Sequence, residues 1–237
     1  MALEHGHSAA EIAARLDGQK DSGRLRDAIF GGIDGTVTTF AIVAGVEGAG
    51  LPTSVVLALG MANVLADGFS MAAGNFAGTK AQADDRRRLW SVEEDQISRY
   101  PEGERAELKQ ILSRMGLSGH VLEEAAAMIS TDKREWIKLM LAEEYGLPAT
   151  EERPLRAAVV IFTAFVLAGM LPLLPFLLGL ADAFQWSIGL SALTFFGFGT
   201  VKSRWSLAPW WRSGLETLTI GGIAATLAYV VGGLFQV

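Results

Sequence analysis

The stretch Leu65–Asn75, LADGFSMAAGN, sits inside an apolar run long enough to cross a bilayer and carries a carboxylate in its middle. Asn63, Asp67, Met71 and Asn75 step by four, so on a helix they form one slowly drifting row. Lipid does not accept such a row, because an ionisable group at mid-bilayer costs at least about 2.5–3.5 kcal/mol. The row must look at protein, water or an ion. A second carboxylate, Asp34, interrupts the preceding apolar run. Carboxylate, amide and thioether groups inside a membrane point to a path for a metal cation.

The chain has 237 residues, half of them hydrophobic, with a mean hydropathy of +0.31 and 19% charged residues. A soluble domain carries about 25% charged residues. Residues 80–147 hold 25 of the 46 charged side chains, so the rest is depleted enough to lie in lipid. Cysteine is absent, which excludes disulfides, thiolate metal sites and cysteine nucleophiles. A net charge of −6 argues against nucleic acid as a partner. Residues 1–23 are polar and lack the pattern of a signal peptide. Ala9–Leu16 could form an amphipathic helix. His5 and His7 could bind a metal, but a frayed terminus explains them more simply.

Five segments approach the roughly 20 apolar residues that a spanning helix needs: Ala28–Gly48, Leu51–Gly78, Ala157–Leu180, Ala183–Val201 and Ser213–Val237. Ala183–Val201 is the shortest. With five spans, residues 1–26, 80–156 and 202–212 share one side. They contain every Lys and Arg: four, thirteen and three of the 20. By the positive-inside rule that side is the cytosol, and the C-terminus lies opposite. Gly31 and Gly35, like Gly74 and Gly78, are four apart, a spacing that lets helix backbones approach closely. Pro172 and Pro175 should kink the third span and free backbone carbonyls. These could line an ion path, or belong to ordinary membrane-helix packing.

Residues 80–147 read as helices outside the membrane. The second span should run on to Arg99, and Pro101 should open a helix ending at Gly116. Ser118 could cap the next helix, ending near Ile129. Asp132 and Glu135 have the spacing of a capping box for a last helix stopping at Gly146, with Pro148 beyond. Trp136, Leu139 and Met140 can pack one face of it. Glu104 and Glu107 share a helix face, as do Met140 and Glu144, and Glu93 lies on the extension of the second span. Brought together, these groups would make a cage suited to divalent transition metals. From spacing alone, a solvated acidic face explains them more simply, and His120 reads as structural.

The chain resembles the vacuolar iron transporter family over about Leu25 to Phe235. The resemblance is carried by DAIFGGIDGTVTTFAIVAG, ADGFSMAAGNF, GMLPLLPFL and KSRWSLAPWWRSGLETLTIGGIAATLAY, in order, with an acidic insert between the second and third spans. It implies an all-α membrane protein with five transmembrane helices and a cytosolic helical insert. The divisions are then an N-terminal tail (1–26), spans one and two (27–79), the metal-binding insert (80–153) and spans three to five (154–237).

The resemblance further implies a homodimer that exports Fe²⁺ by proton antiport, with Mn²⁺, Co²⁺ or Zn²⁺ as further cargo and no enzymatic activity. By position, it assigns the membrane path to Asp27, Asp34 and Met71. In the insert it assigns Glu93, Glu104, Glu107, Met140 and Glu144. Asn63 and Asn75 stand where the family commonly has carboxylates, and Gln96 stands in place of an insert Glu. Asp67 could restore part of the lost charge, and Glu143 is a further candidate ligand. A bacterial-looking chain without a vacuole belongs in the plasma membrane, where the task would be efflux. The alternatives are a non-transporting metal sensor or buffer, a non-metal or structural membrane protein, and an aspartyl protease using Asp34 and Asp67. The protease lacks the Gly-x-Gly expected before its Asp.

Overall fold

The computed structural model describes residues 7–18, 22–147 and 153–236, and every regular element among them is helical. His5 and Pro148 lie outside the described residues. The helices are α1 (Ala9–Gly18), α2 (Ser22–Gly48), α3 (Thr53–Arg99), α4 (Pro101–Arg114), α5 (Gly119–Ile129), α6 (Lys133–Glu143), α7 (Pro154–Gly169), α8 (Leu174–Leu177), α9 (Ala183–Lys202) and α10 (Trp210–Leu234). They form two compact units. One comprises residues 1–76 and 155–237, and the other residues 77–154. α3 contributes to both.

In the first unit, four stretches are long and apolar enough to cross a membrane: Leu25–Gly48, the apolar part of Thr53–Arg99, Pro154–Leu177 and Trp210–Leu234. The protein is thus an integral, multi-pass membrane protein. α9, at 20 residues, is as long as a bilayer is thick but is not one of these four. α2 packs against α9 and α10, and α9 packs against α10. Phe40, Val43, Val56, Val64, Leu173 and Phe195 are buried together at the centre. Large apolar side chains also cover the outside, among them Leu167, Leu193, Ile223 and Leu227. That surface suits hydrocarbon, where each helix satisfies its own backbone.

Small residues decide which helices touch. A Cβ on Gly31 would lie 2.6 Å from the Ile161 carbonyl oxygen, and one on Gly35 would lie 2.4 Å from that of Phe165. α2 and α7 therefore meet backbone to backbone. Gly232 meets Gly45 in the same way, bringing α10 onto α2. The expected packing role of Gly31 and Gly35 is met inside the chain, whereas Gly74 and Gly78 have nothing within 4 Å. That second small-residue face is left uncovered by the chain itself.

The third span is not one helix. α7 stops at Gly169, and a 3-10 turn at Leu171–Leu173 leads into the four-residue α8. Pro172 and Pro175 cannot supply backbone N–H groups to a continuous helix. Both are buried, and the Ser187 hydroxyl donates to the Pro172 carbonyl at 2.8 Å. The carbonyls that the two prolines leave without a helical donor find others: Ala168 accepts from the Thr36 hydroxyl at 3.4 Å, and Leu171 from the Leu174 N–H.

In the second unit the punctuation reads as expected. Asp132 Oδ1 accepts from the backbone N–H of Arg134 at 2.9 Å and of Glu135 at 3.2 Å. Half of the capping box forms, since the Glu135 carboxylate pairs with Lys138 instead. Ser118 occupies the N-cap position of α5 without a side-chain cap bond. Gly116 and Gly146 end α4 and α6 at φ +97 and +65, where a Cβ would be strained. Leu108, Leu112, Trp136, Ile137, Met140 and Leu141 are buried together beneath these helices.

Candidate functional site

Two groups of candidate residues occupy the two units, and each is described separately. In the membrane unit, α2 presents Asp34 and α3 presents Asp67, both half-buried. Each lies within reach of the other's charge. The drifting four-step row explains why Asp67, and not a lipid-facing neighbour, lands there. Asn63, one turn earlier, donates through Nδ2 to the Thr38 hydroxyl at 3.3 Å, and that hydroxyl donates to the Asp34 carbonyl at 2.9 Å. A polar chain thus links α3 to the turn of α2 carrying Asp34. Met71 and Asn75 are half-buried farther along α3, and Asn75 Oδ1 has no hydrogen-bond partner. Asp27 is half-buried near the start of α2. Thr38 was not among the sequence candidates, because an isolated threonine in a span carries no spacing signal.

In the second unit, Glu93 and Glu104 are buried, at 1% and 4% exposure. Glu93 Oε2 and Glu104 Oε2 both lack a hydrogen-bond partner. Unpaired buried carboxyl oxygens are costly. Glu104 is pushed up to about 7, first by burial and then by the charges of Glu107, Glu93 and Glu144. Burial also raises Glu93, opposed by a hydrogen bond from Tyr145. Glu144 is raised by desolvation and by the charges of Glu93 and Glu107. These four carboxylates, drawn from α3, α4 and the end of α6, therefore feel one another.

The other insert candidates are placed differently. Met140 is wholly buried in the apolar cluster beside Trp136 and Leu141. Gln96 and Glu143 are exposed on the surface. His120 is exposed too, with Nδ1 3.5 Å from Glu124 Oε2. Among the described residues, no three His, Asp or Glu side chains are arranged to hold a metal ion as they stand. The residue that sequence reasoning missed is Tyr145, whose hydroxyl donates to Glu93 Oε1 at 2.8 Å. Burial and this bond push the phenol well above its usual range, so it stays a neutral donor. Its neighbour Glu144 was visible through a helical spacing, but a tyrosine in a helix-ending turn has none.

A family model described as the VIT family matches residues 25–233. The chain belongs to the VIT family. Among VIT-family relatives, "Vacuolar iron transporter 1" of Arabidopsis thaliana is 33% identical over 215 residues, covering 90% of this chain and 86% of its own length. The protein of the same name from Oryza sativa subsp. japonica is 32% identical over 208 residues, covering 86% and 82%. "Vacuolar iron transporter" of Toxoplasma gondii is 35% identical over 224 residues, covering 90% and 74%. These VIT-family relatives carry transporter names, in keeping with the expectation that the chain is not an enzyme.

Proposed function

We propose that the protein moves Fe²⁺ out of the cytosol across five spans, as a homodimer exchanging metal for protons. The observation that carries this reading is the pair of half-buried carboxylates, Asp34 on α2 and Asp67 on α3, near enough to interact electrostatically, in a chain of the VIT family. The iron transporter names of its relatives favour iron as cargo. α9 is the fourth of the five spans, which keeps Lys202, Arg204 and Arg212 on the cytosolic side with residues 80–156. The uncovered face at Gly74 and Gly78 supports a second copy as its neighbour, since close small-residue faces associate in lipid.

Metal first collects on Glu93, Glu104, Glu107 and Glu144 of the insert, with Met140, Glu143 and Gln96 in reserve. Because these acids adjoin and one has a pKa near 7, arriving metal displaces a proton. In the membrane, Asp34, Asp67 and Met71 form the cargo site. Asn63 and Thr38 fix its α2 wall, and Asp27 and Asn75 lie along the route. Two copies would supply four aspartates, and paired acids hold a proton when no cation separates them. Oxygen with one thioether also accommodates Mn²⁺, Co²⁺ or Zn²⁺. The location is a bacterial plasma membrane, with the N-terminus and insert in the cytosol.

The test is flux. Purified protein in sealed anoxic liposomes carries an internal iron-chelating dye and a pH dye. Fe²⁺ entry with opposite proton movement, lost in Asp34→Ala, is expected. Metal binding without flux of Fe²⁺ or Mn²⁺ in folded protein would replace this reading with a membrane metal buffer.

A further inference from the structure

The connection between α9 and α10 reads KSRWSLAPWWR over residues 202–212. It carries three basic side chains and no acid. The connections at 49–52 and 178–182 carry no basic residue at all. Both of its ends are held. Trp210 meets Phe196 of α9 edge to face, with ring centroids 6.0 Å apart. Lys202 Nζ lies 3.2 Å from Glu216 Oε2, tying the end of α9 to the start of α10. Within the loop, the Ser206 hydroxyl accepts from the Ala208 backbone N–H at 3.1 Å.

A connection held in this way nonetheless leaves its apolar groups uncovered. Leu207 is 108% exposed, Trp205 53% and Trp211 43%. The Arg212 guanidinium stacks over the Trp211 ring at 5.1 Å. Stacking occupies the face of the guanidinium and leaves its N–H edge for an acceptor. Arg204 is exposed on the 3-10 turn beside Trp205. Indoles prefer the level of lipid headgroups, and arginine binds phosphate through paired N–H donors.

We propose that residues 203–212 form a binding site for the headgroup of an anionic phospholipid. Arg204 and Arg212 hold the phosphate, Trp205 and Trp211 sit at the headgroup level, and Leu207 enters the acyl boundary. Charge complementarity selects this occupant. The loop is wholly basic in a chain of net charge −6, and a zwitterionic headgroup offers it no net attraction. The site is independent of the cargo and of its route.

The experiment is native mass spectrometry of the full chain in detergent, with phosphatidylglycerol or phosphatidylcholine added at equal concentration. Retention of phosphatidylglycerol over phosphatidylcholine is expected. Arg204→Gln with Arg212→Gln should weaken retention roughly 30-fold, and each single change roughly 5-fold. Lys109→Gln with Lys133→Gln removes the same charge from the insert and should leave retention unchanged. Trp205→Ala with Leu207→Ala should weaken it without altering charge. Equal retention of both lipids, no effect of the arginine changes in monodisperse protein, or equal loss in the lysine control would overturn the proposal. Displacement of the lipid by inorganic phosphate would overturn it too, making a soluble phosphate the occupant.

Discussion

The Tyr145 hydroxyl lies 2.8 Å from Glu93 Oε1, joining the turn after α6 to the distal part of α3. The bond directs one carboxyl oxygen into the protein and leaves Oε2 without a partner. Groups that orient a ligand typically matter about 10–100-fold for metal affinity. Tyr145→Phe is therefore expected to weaken Mn²⁺ binding by about 10-fold or more in calorimetry, with helical content unchanged. Unchanged affinity would confine the hydroxyl to folding.

Glu104 carries a pH signature. Its folded pKa of about 7 exceeds the model-compound value of 4.5. The folded state thus binds the proton more tightly than the unfolded one. Its contribution to stability is complete below about pH 4.5 and declines as pH rises through 7. Glu104→Gln should raise Tm relative to the parent at pH 8, and the difference should close at pH 4. A constant difference across that range would place the effect elsewhere. Metal binding by the parent should strengthen from pH 6 to pH 8, with protons released.

Asp34→Ala and Met71→Ala are expected to remove Fe²⁺ flux in liposomes while leaving protein inserted and monodisperse. Asp67→Asn should reduce flux as well, because it removes the carboxylate that interacts electrostatically with Asp34. Normal flux in the first two variants would sink the proposed route.

The two glycine pairs should separate folding from association. Gly35→Ala places a methyl 2.4 Å from the Phe165 carbonyl oxygen and should destabilise the fold by about 1–3 kcal/mol, the cost of overpacking. Gly74→Leu meets open space in the single chain, so monomer folding should be unchanged while dimer cross-linking falls. Retained dimers would place the interface on another face.

Much of the helical layout was legible because it is written in local chemistry. Asp132, Pro101, Gly116 and Gly146 act within a turn of themselves, and each stands at the helix end expected. The four-step row likewise kept Asp67 off the fully exposed surface, and the structure leaves Asn63, Asp67, Met71 and Asn75 all half-buried. What escaped depends on neighbours distant in sequence. The broken third span is stabilised by Ser187, fifteen residues beyond Pro172. Met140 shares a face with Glu144 in sequence, yet the packing of Leu108, Trp136 and Leu141 takes it into the apolar cluster. Tyr145 finds Glu93 across 52 residues, and no spacing rule reaches that far. The uncovered Gly74 and Gly78 differ from Gly31 and Gly35 only in what approaches them.

Where α2 meets α7 and α10, no layer of side chains separates the backbones. Such a joint has no lubricant. Sliding one helix past the other would drive the Ile161, Phe165 and Gly45 carbonyls into the opposing glycine backbones, so these contacts resist relative movement. α3 differs, since its Gly74 and Gly78 engage nothing in the same chain. Drift in the sequence should then be unequal. A single added methyl jams the first joint, while the second tolerates change for as long as the opposing surface changes with it.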